Sequence, residues 1–114
     1  MVNFTENKAQ DIYIIGVKLT RTSIYMANEF KDFLNKAIEK REKKILVDFL
    51  ECDYIDSTFL GVLVVTLKKL VAVGGSIRLV ISNPNVKSSL ELTRMNKIFK
   101  VYDDLQTAIS SFNE

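Results

Sequence analysis

Residues 45–50 read ILVDFL, an apolar run interrupted by Asp48 alone. Successive strand residues point to opposite faces, so a run this apolar has no wet side; it is the pattern of a strand covered on both faces. Such a strand lies inside a sheet, and the chain on either side of it must supply the cover. Downstream, past the polar stretch IDST (55–58), the segment VLVVTLKKLVAV (62–73) is too long for one strand. A helix over about 58–73 is predicted, closed by Gly74 and Gly75, which can supply a left-handed C-terminal cap. Upstream, Ala27, Phe30, Leu34, Ala37 and Ile38 recur at helical spacing, with Asn28, Lys31, Asp32, Asn35, Lys36 and Glu39 on the opposite face. That spacing predicts an amphipathic helix over 23–41.

The remaining elements extend this strand–helix alternation. NFTENK (3–8) and DIYIIGVKL (11–19) are short β-rich runs split by a brief polar turn, which predicts an opening hairpin. SIRLVIS (76–82) is the next strand, and Asn83 with Pro84 suits a helix start, with Val86, Leu90 and Thr93 on one side before a turn at Met95 and Asn96. A short strand over 98–101 is expected. In DDLQTAISSF (103–112), Asp103 and Gln106 stand at capping-box spacing, and Leu105, Ala108, Ile109 and Phe112 form the apolar stripe of a terminal helix. Alternation of this kind calls for right-handed crossovers and parallel strands. The expected fold is α/β, one domain over 1–114: a mixed, mostly parallel sheet of four to five strands with about four helices.

Several function classes are disfavoured. A chain of 114 residues without histidine lacks the commonest general base, the Ser-His-Asp and Cys-His nucleophile systems and most zinc sites. One cysteine, Cys52, allows no internal disulfide or CxxC pair and reads as core. There is no Gly-rich phosphate loop. An enzyme is therefore not expected, nor a cofactor or metal; Asp48, Glu51, Asp53 and Asp56 read as solvated acids around one strand end. A net charge of +2 implies neither a nucleic-acid nor a membrane surface, and KREKK (40–44) reads as a wet linker. Asp56, Lys68 and Lys69 interrupt the apolar stretch from Ile55 to Val73, which is too short to span a bilayer. The first ten residues lack the regions of a signal peptide, so a cytoplasmic location is expected.

Loops at the carboxyl ends of parallel strands are where α/β sheets carry function, and IDST is such a loop. Asp56 and Ser57 suit helix capping, since a short side-chain oxygen accepting a first-turn amide contributes about 1 kcal/mol. Thr58 then lies in the first turn. A phosphate there would be favoured by the helix dipole and would bring roughly −1.5 to −2 of charge. Phe59 has two readings, a partly exposed contact or buried packing.

The run from Lys43 to Ile109 resembles the STAS domain of bacterial anti-sigma factor antagonists, in which a strand and an acid-containing turn lead to Asp-Ser-Ser/Thr-Gly-Leu-Gly at the head of a helix. The element order that follows is also similar, and the first 42 residues fit more loosely. Asp56, Ser57, Thr58, Leu60 and Gly61 match the motif. Phe59 stands where the family usually has Gly, and VKLT (17–20) puts Val17 and Thr20 where Gly-x-Leu-Asp is common. The resemblance implies a non-catalytic regulator. Its unmodified form would bind an anti-sigma factor with serine kinase activity and so free a sigma factor; phosphorylation would end the binding and a metal-dependent phosphatase would restore it. Thr58 would be the phosphoacceptor, with Ser57 as second choice, and Asp56, Ser57, Thr58, Phe59 and Leu60 would form the contact surface. The alternative is a STAS scaffold that no longer switches, or a small-ligand sensor.

Overall fold

The computed structural model describes residues 2–113. The opening hairpin forms β1 (Phe4–Ala9) and β2 (Ile12–Val17), antiparallel with Phe4 opposite Val17. There follow α1 (Ile24–Glu39), β3 (Lys44–Asp48), α2 (Ser57–Ala72), β4 (Ser76–Val80), α3 (Pro84–Leu92), a 3₁₀ turn (Met95–Lys97), β5 (Lys100–Tyr102) and α4 (Leu105–Ser111). The strands lie in the order β1-β2-β3-β4-β5, and every pairing after the first is parallel. This is the mixed α/β sheet expected, with five strands and four helices among the described residues.

Strand alternation divides the interior in two. Tyr13, Ile15 and Val17 of β2, Ile45 and Val47 of β3, and Ile77 and Leu79 of β4 face α1, α2 and α3. Ile12, Ile14, Leu46 and Val80 face the opposite way, onto Ala108 and Phe112 of α4 and beyond. β3 is central, and its Ile45, Leu46 and Val47 are fully buried, as a strand covered on both faces must be.

Element ends follow local hydrogen bonding. α2 closes in a Schellman motif: Gly75 N donates to Leu70 O at 2.7 Å and Gly74 N to Val71 O at 3.1 Å, with Gly74 left-handed at φ 77°. Gly75 is needed for a second reason, because a Cβ there would stand 2.8 Å from Lys43 O, where β3 and β4 begin. Two expectations are corrected. The cap of α4 is Asp104, which accepts from Thr107 N, while Asp103 pairs with Lys87. β5 begins at Lys100 rather than Ile98, because Phe99 N still bonds to Met95 O at 2.9 Å and holds that segment in the preceding turn.

Charge pairs decorate the surface: Lys8 with Glu42, Lys44 with Asp11, and Lys18 with Glu51 lie at 2.8 to 2.9 Å. The KREKK run is thus partly tied to the opening hairpin, through Glu42 and Lys44. No helix among the described residues is long and apolar enough to cross a membrane.

Candidate functional site

The loops leaving β2 and β3 run side by side. Arg21 and Tyr54 form an isolated parallel bridge, Thr22 N donates to Tyr54 O at 3.1 Å, and Asp53 N donates to Thr20 O at 2.8 Å. The Arg21 guanidinium sits 4.2 Å above the Tyr54 ring, a cation–π contact that holds the outer edge of the pair. These contacts bring the start of α2 beside the loop that leads into α1.

Asp56 is the N-cap of α2 in extended backbone, with φ −86° and ψ 170°. One carboxylate oxygen, Oδ2, accepts both the amide of Thr58, at 3.2 Å, and the Thr58 hydroxyl. The other, Oδ1, accepts the hydroxyl of Thr22, and the Thr22 oxygen in turn accepts Asp56 N at 2.9 Å. A half-buried carboxylate therefore ties the first turn of α2 to a residue 34 positions away in sequence. Burial alone would raise its pKa. The hydrogen bonds from Thr22, from Thr58 and from the amides of Thr58 and Phe59 outweigh that, and hold the carboxyl below its ordinary value.

Ser57 is exposed and Thr58 half-buried, so both residues reach the protein surface. Phe59 and Leu60 do not. Expected at a contact surface, they are 0% and 7% exposed. The helix turns both inward together with Leu63, Thr66 and Leu70. The Phe59 ring stacks on Phe30 at 4.6 Å between centroids, and Phe4, Phe33 and Phe49 complete a cluster of rings beneath the cap. Phe59 is thus a core residue directly under the candidate acceptor, and a contact with another protein there falls to Ser57, Thr58 and their exposed neighbours.

The acids of this loop have separate employments. Asp48 accepts Leu50 N at 2.9 Å, Glu51 pairs with Lys18, and Asp53 is exposed. Among the described residues no three His, Cys, Asp or Glu side chains converge as metal ligands would. Cys52 is buried, and desolvation, helped by the charges of Glu51, Asp48 and Asp53, pushes its thiol up to about 12. Thr20, which stands where the family commonly has an acid, contributes its backbone carbonyl to the loop pairing, a role that any side chain permits.

Thr22 is the one residue of this candidate site that the local sequence does not announce. It is 3% exposed and fully hydrogen-bonded, yet nothing in LTRTS distinguishes its hydroxyl from those of Thr20 or Ser23. The signal is tertiary, an acceptor brought across from the next loop. Tyr25 and Ile24, 91% and 64% exposed, stand at the head of α1 next to this junction.

Comparison with known proteins agrees with this fold. Residues 21–108 match the family model described as the STAS domain. A Thermotoga neapolitana protein named as a candidate anti-sigma factor antagonist is 39% identical over 80 residues, which cover 70% of this chain and 67% of that protein. The crystal structure of a candidate anti-sigma factor antagonist from Thermotoga maritima superposes with a TM-score of 0.87 at 29% identity, over 97% of this chain and 95% of the other. The anti-sigma factor antagonist SpoIIAA in its unphosphorylated form shares the fold with a TM-score of 0.82 at 16% identity, over 96% of each chain. The chain belongs to the STAS domain family, among its anti-sigma factor antagonists.

Proposed function

We propose that this chain is a phosphorylation-switched antagonist: unmodified, it binds an anti-sigma factor that is also a serine kinase and thereby frees a sigma factor. Phosphorylation at Thr58 ends the binding, and a metal-dependent phosphatase reverses it. The observation that carries this reading is the Asp56–Thr58 pair. The hydroxyl proton of Thr58 points at an ionised carboxylate, which leaves the lone pairs of Oγ free for an incoming phosphorus. In the transfer the Thr58 oxygen bonds to the terminal phosphorus of a nucleoside triphosphate, the bond to the bridging oxygen breaks, and the diphosphate leaves. The hydroxyl proton passes to Asp56 or to a base of the kinase.

The product is self-consistent as a switch. A phosphoryl group in place of the hydroxyl proton removes the Thr58–Asp56 hydrogen bond and sets roughly −1.5 to −2 of charge beside an existing carboxylate. A surface that fitted a partner as a neutral hydroxyl then presents a concentrated anion. Ser57 is the more exposed of the two residues but among the described residues has no carboxylate bond, so Thr58 remains the assigned acceptor.

The test is capture from a lysate of the source organism with wild-type, Thr58→Glu, Thr58→Ala and Ser57→Ala baits, followed by phosphosite mapping with the captured kinase. An anti-sigma kinase should be retained by wild type and Ser57→Ala and lost with Thr58→Glu, and label should vanish in Thr58→Ala. Recovery of the same proteins by wild-type and Thr58→Glu baits, or label that survives in Thr58→Ala, defeats the assignment.

A further inference from the structure

We infer that the seam between α1 and α2 is a docking groove for an acidic, amphipathic segment of a partner protein. This deepens the reading above, on which it rests for the effect of phosphorylation; the groove itself is argued from other residues.

α2 is apolar on nearly every side, more so than burial requires. Phe59, Leu63 and Leu70 face the core, yet Val65 and Val73 remain 48% and 51% exposed. Beside Val65, residues of α1 and α2 line a recess of about 320 Å³ that has Thr58, Gly61, Val62 and Val65 along its α2 wall. Apart from its chain neighbours and its own helix backbone, no atom of the described residues lies within 4 Å of where a Cβ on Gly61 would stand, so the missing side chain leaves the recess deeper there than any other residue would. At helical spacing the seam continues to Ile38 and Val73, which line a second recess of about 230 Å³. The two helices are 16 residues each, so the seam offers a track of about 24 Å. Apolar side chains spaced along one face of a helix or strand would fit it, as in other helix-in-groove contacts.

Charge selects the occupant. Lys31 and Lys69 border the first recess and Arg41 and Lys43 the second. Among the described residues none of these four forms an ion pair with an acid; Lys69 donates to Asn35 Oδ1 at 3.1 Å. The one acid lining either recess, Glu42, is held by Lys8 at 2.9 Å. An apolar track bordered by four uncompensated cations complements a segment whose apolar face is flanked by Asp and Glu. Thr58 lines the first recess, so a phosphoryl group on it adds like charge within the groove and drives an acidic segment out.

The experiment uses the full chain and two fluorescent synthetic peptides with the same Leu spacing, one carrying Glu and the other Lys at its polar positions. By anisotropy the Glu peptide should bind, with affinity falling as salt rises, and the Lys peptide should not. Lys31→Glu combined with Lys69→Glu should weaken the Glu peptide about tenfold or more, and Gly61→Leu, whose Cβ would stand in open space on the recess wall, should abolish it. All these changes lie on the exposed seam, and circular dichroism with thermal unfolding will verify that each variant is folded. Equal binding of both peptides, binding of neither, or indifference to the lysine changes overturns the groove. Lysine-dependent binding of phosphatidylserine vesicles without peptide binding also overturns it and makes the seam a lipid surface. A chain carrying genetically encoded phosphothreonine at position 58 should bind the Glu peptide at least severalfold more weakly. If it binds as well as the unmodified chain while the lysine variants still fail, the groove stands and its coupling to Thr58 is overturned, so groove and switch are separable.

Discussion

At the start of α4, Asp104 accepts the amide of Thr107 at 2.8 Å and its hydroxyl at 2.9 Å. At the start of α2, Asp56 accepts the amide of Thr58 at 3.2 Å and its hydroxyl as well. Both carboxyls are held below their ordinary value. For Asp104 the bonds to Thr107 do this unopposed by much burial, whereas for Asp56 they must first overcome desolvation. By local chemistry the two helix starts are the same device. They differ in what lies around them. Asp104 is exposed and bonds within its own turn. Asp56 carries the additional bond to Thr22 and sits over the stacked rings of Phe59 and Phe30. A capped helix start becomes a site when a second element reads the same carboxylate and a rigid bed keeps it in place.

Removing the bed should have the largest effect. Phe59→Ala empties a fully buried ring position and should cost about 3–5 kcal/mol in urea unfolding. Phe112→Ala, under α4, should cost less, because Phe112 is 9% exposed and lies in a smaller cluster that can close over the gap. Equal losses would mean that the aromatic cluster gives the α2 start no special rigidity.

The caps themselves should separate next. Asp56→Ala removes an N-cap, about 1 kcal/mol, and leaves the buried Thr22 hydroxyl without an acceptor, for about 1–3 kcal/mol more. Asp104→Ala strands no buried donor and should be the milder change. A double-mutant cycle of Asp56→Ala with Thr22→Val should recover part of the Asp56 loss, since the orphaned hydroxyl is then gone.

The same comparison can be made with acid. A carboxyl whose folded pKa lies below its unfolded value of 3.8 contributes stability that is present above that pH and lost as pH falls through the folded value. Stability should therefore drop below about pH 4. Asp56→Asn and Asp104→Asn should each remove part of that drop, as followed by denaturant midpoints between pH 7 and pH 3. A drop unchanged in both variants would mean that neither cap is linked to acid unfolding.

The smallest effect sharpens the reading of the groove. Gly61→Ala places a methyl in open space inside a helix and should stabilise the chain by about 0.5–1 kcal/mol. Gly75→Ala, pressed against Lys43 O, should destabilise it. The two glycines stand on the same helix and its cap, and thermal unfolding should move them in opposite directions.

Much of the architecture was legible in the residues. A strand buried on both faces, helices at 3.6 spacing around it and a hairpin before it leave little choice but a mixed, mostly parallel sheet. Asp56 as a cap and Thr58 in the first turn could be read because capping acts over two or three residues. Boundaries were less legible: Asp103 and Asp104 are equally good caps in isolation, and the choice between them follows from the pairing of Asp103 with Lys87. Phe59 was ambiguous for a similar reason. A ring at the third position of a helix faces inward or outward according to how the helix is rotated against its neighbours, and the stack on Phe30 sets that rotation.

What the sequence determined by itself, then, is whatever is carried by short-range periodicity and capping: the order of strands and helices, the doubly covered centre of the sheet, and an acid and two hydroxyls at one helix start. What the tertiary structure alone decided is which groups from distant segments meet. The Thr22–Asp56 bond joins two loops because parallel pairing of β2 with β3 puts their carboxyl ends side by side, and the basic-edged seam exists because α1 and α2 pack against the same face of that sheet. Neither is encoded in any local stretch, since both depend on distances set by strand register and helix packing rather than by spacing along the chain.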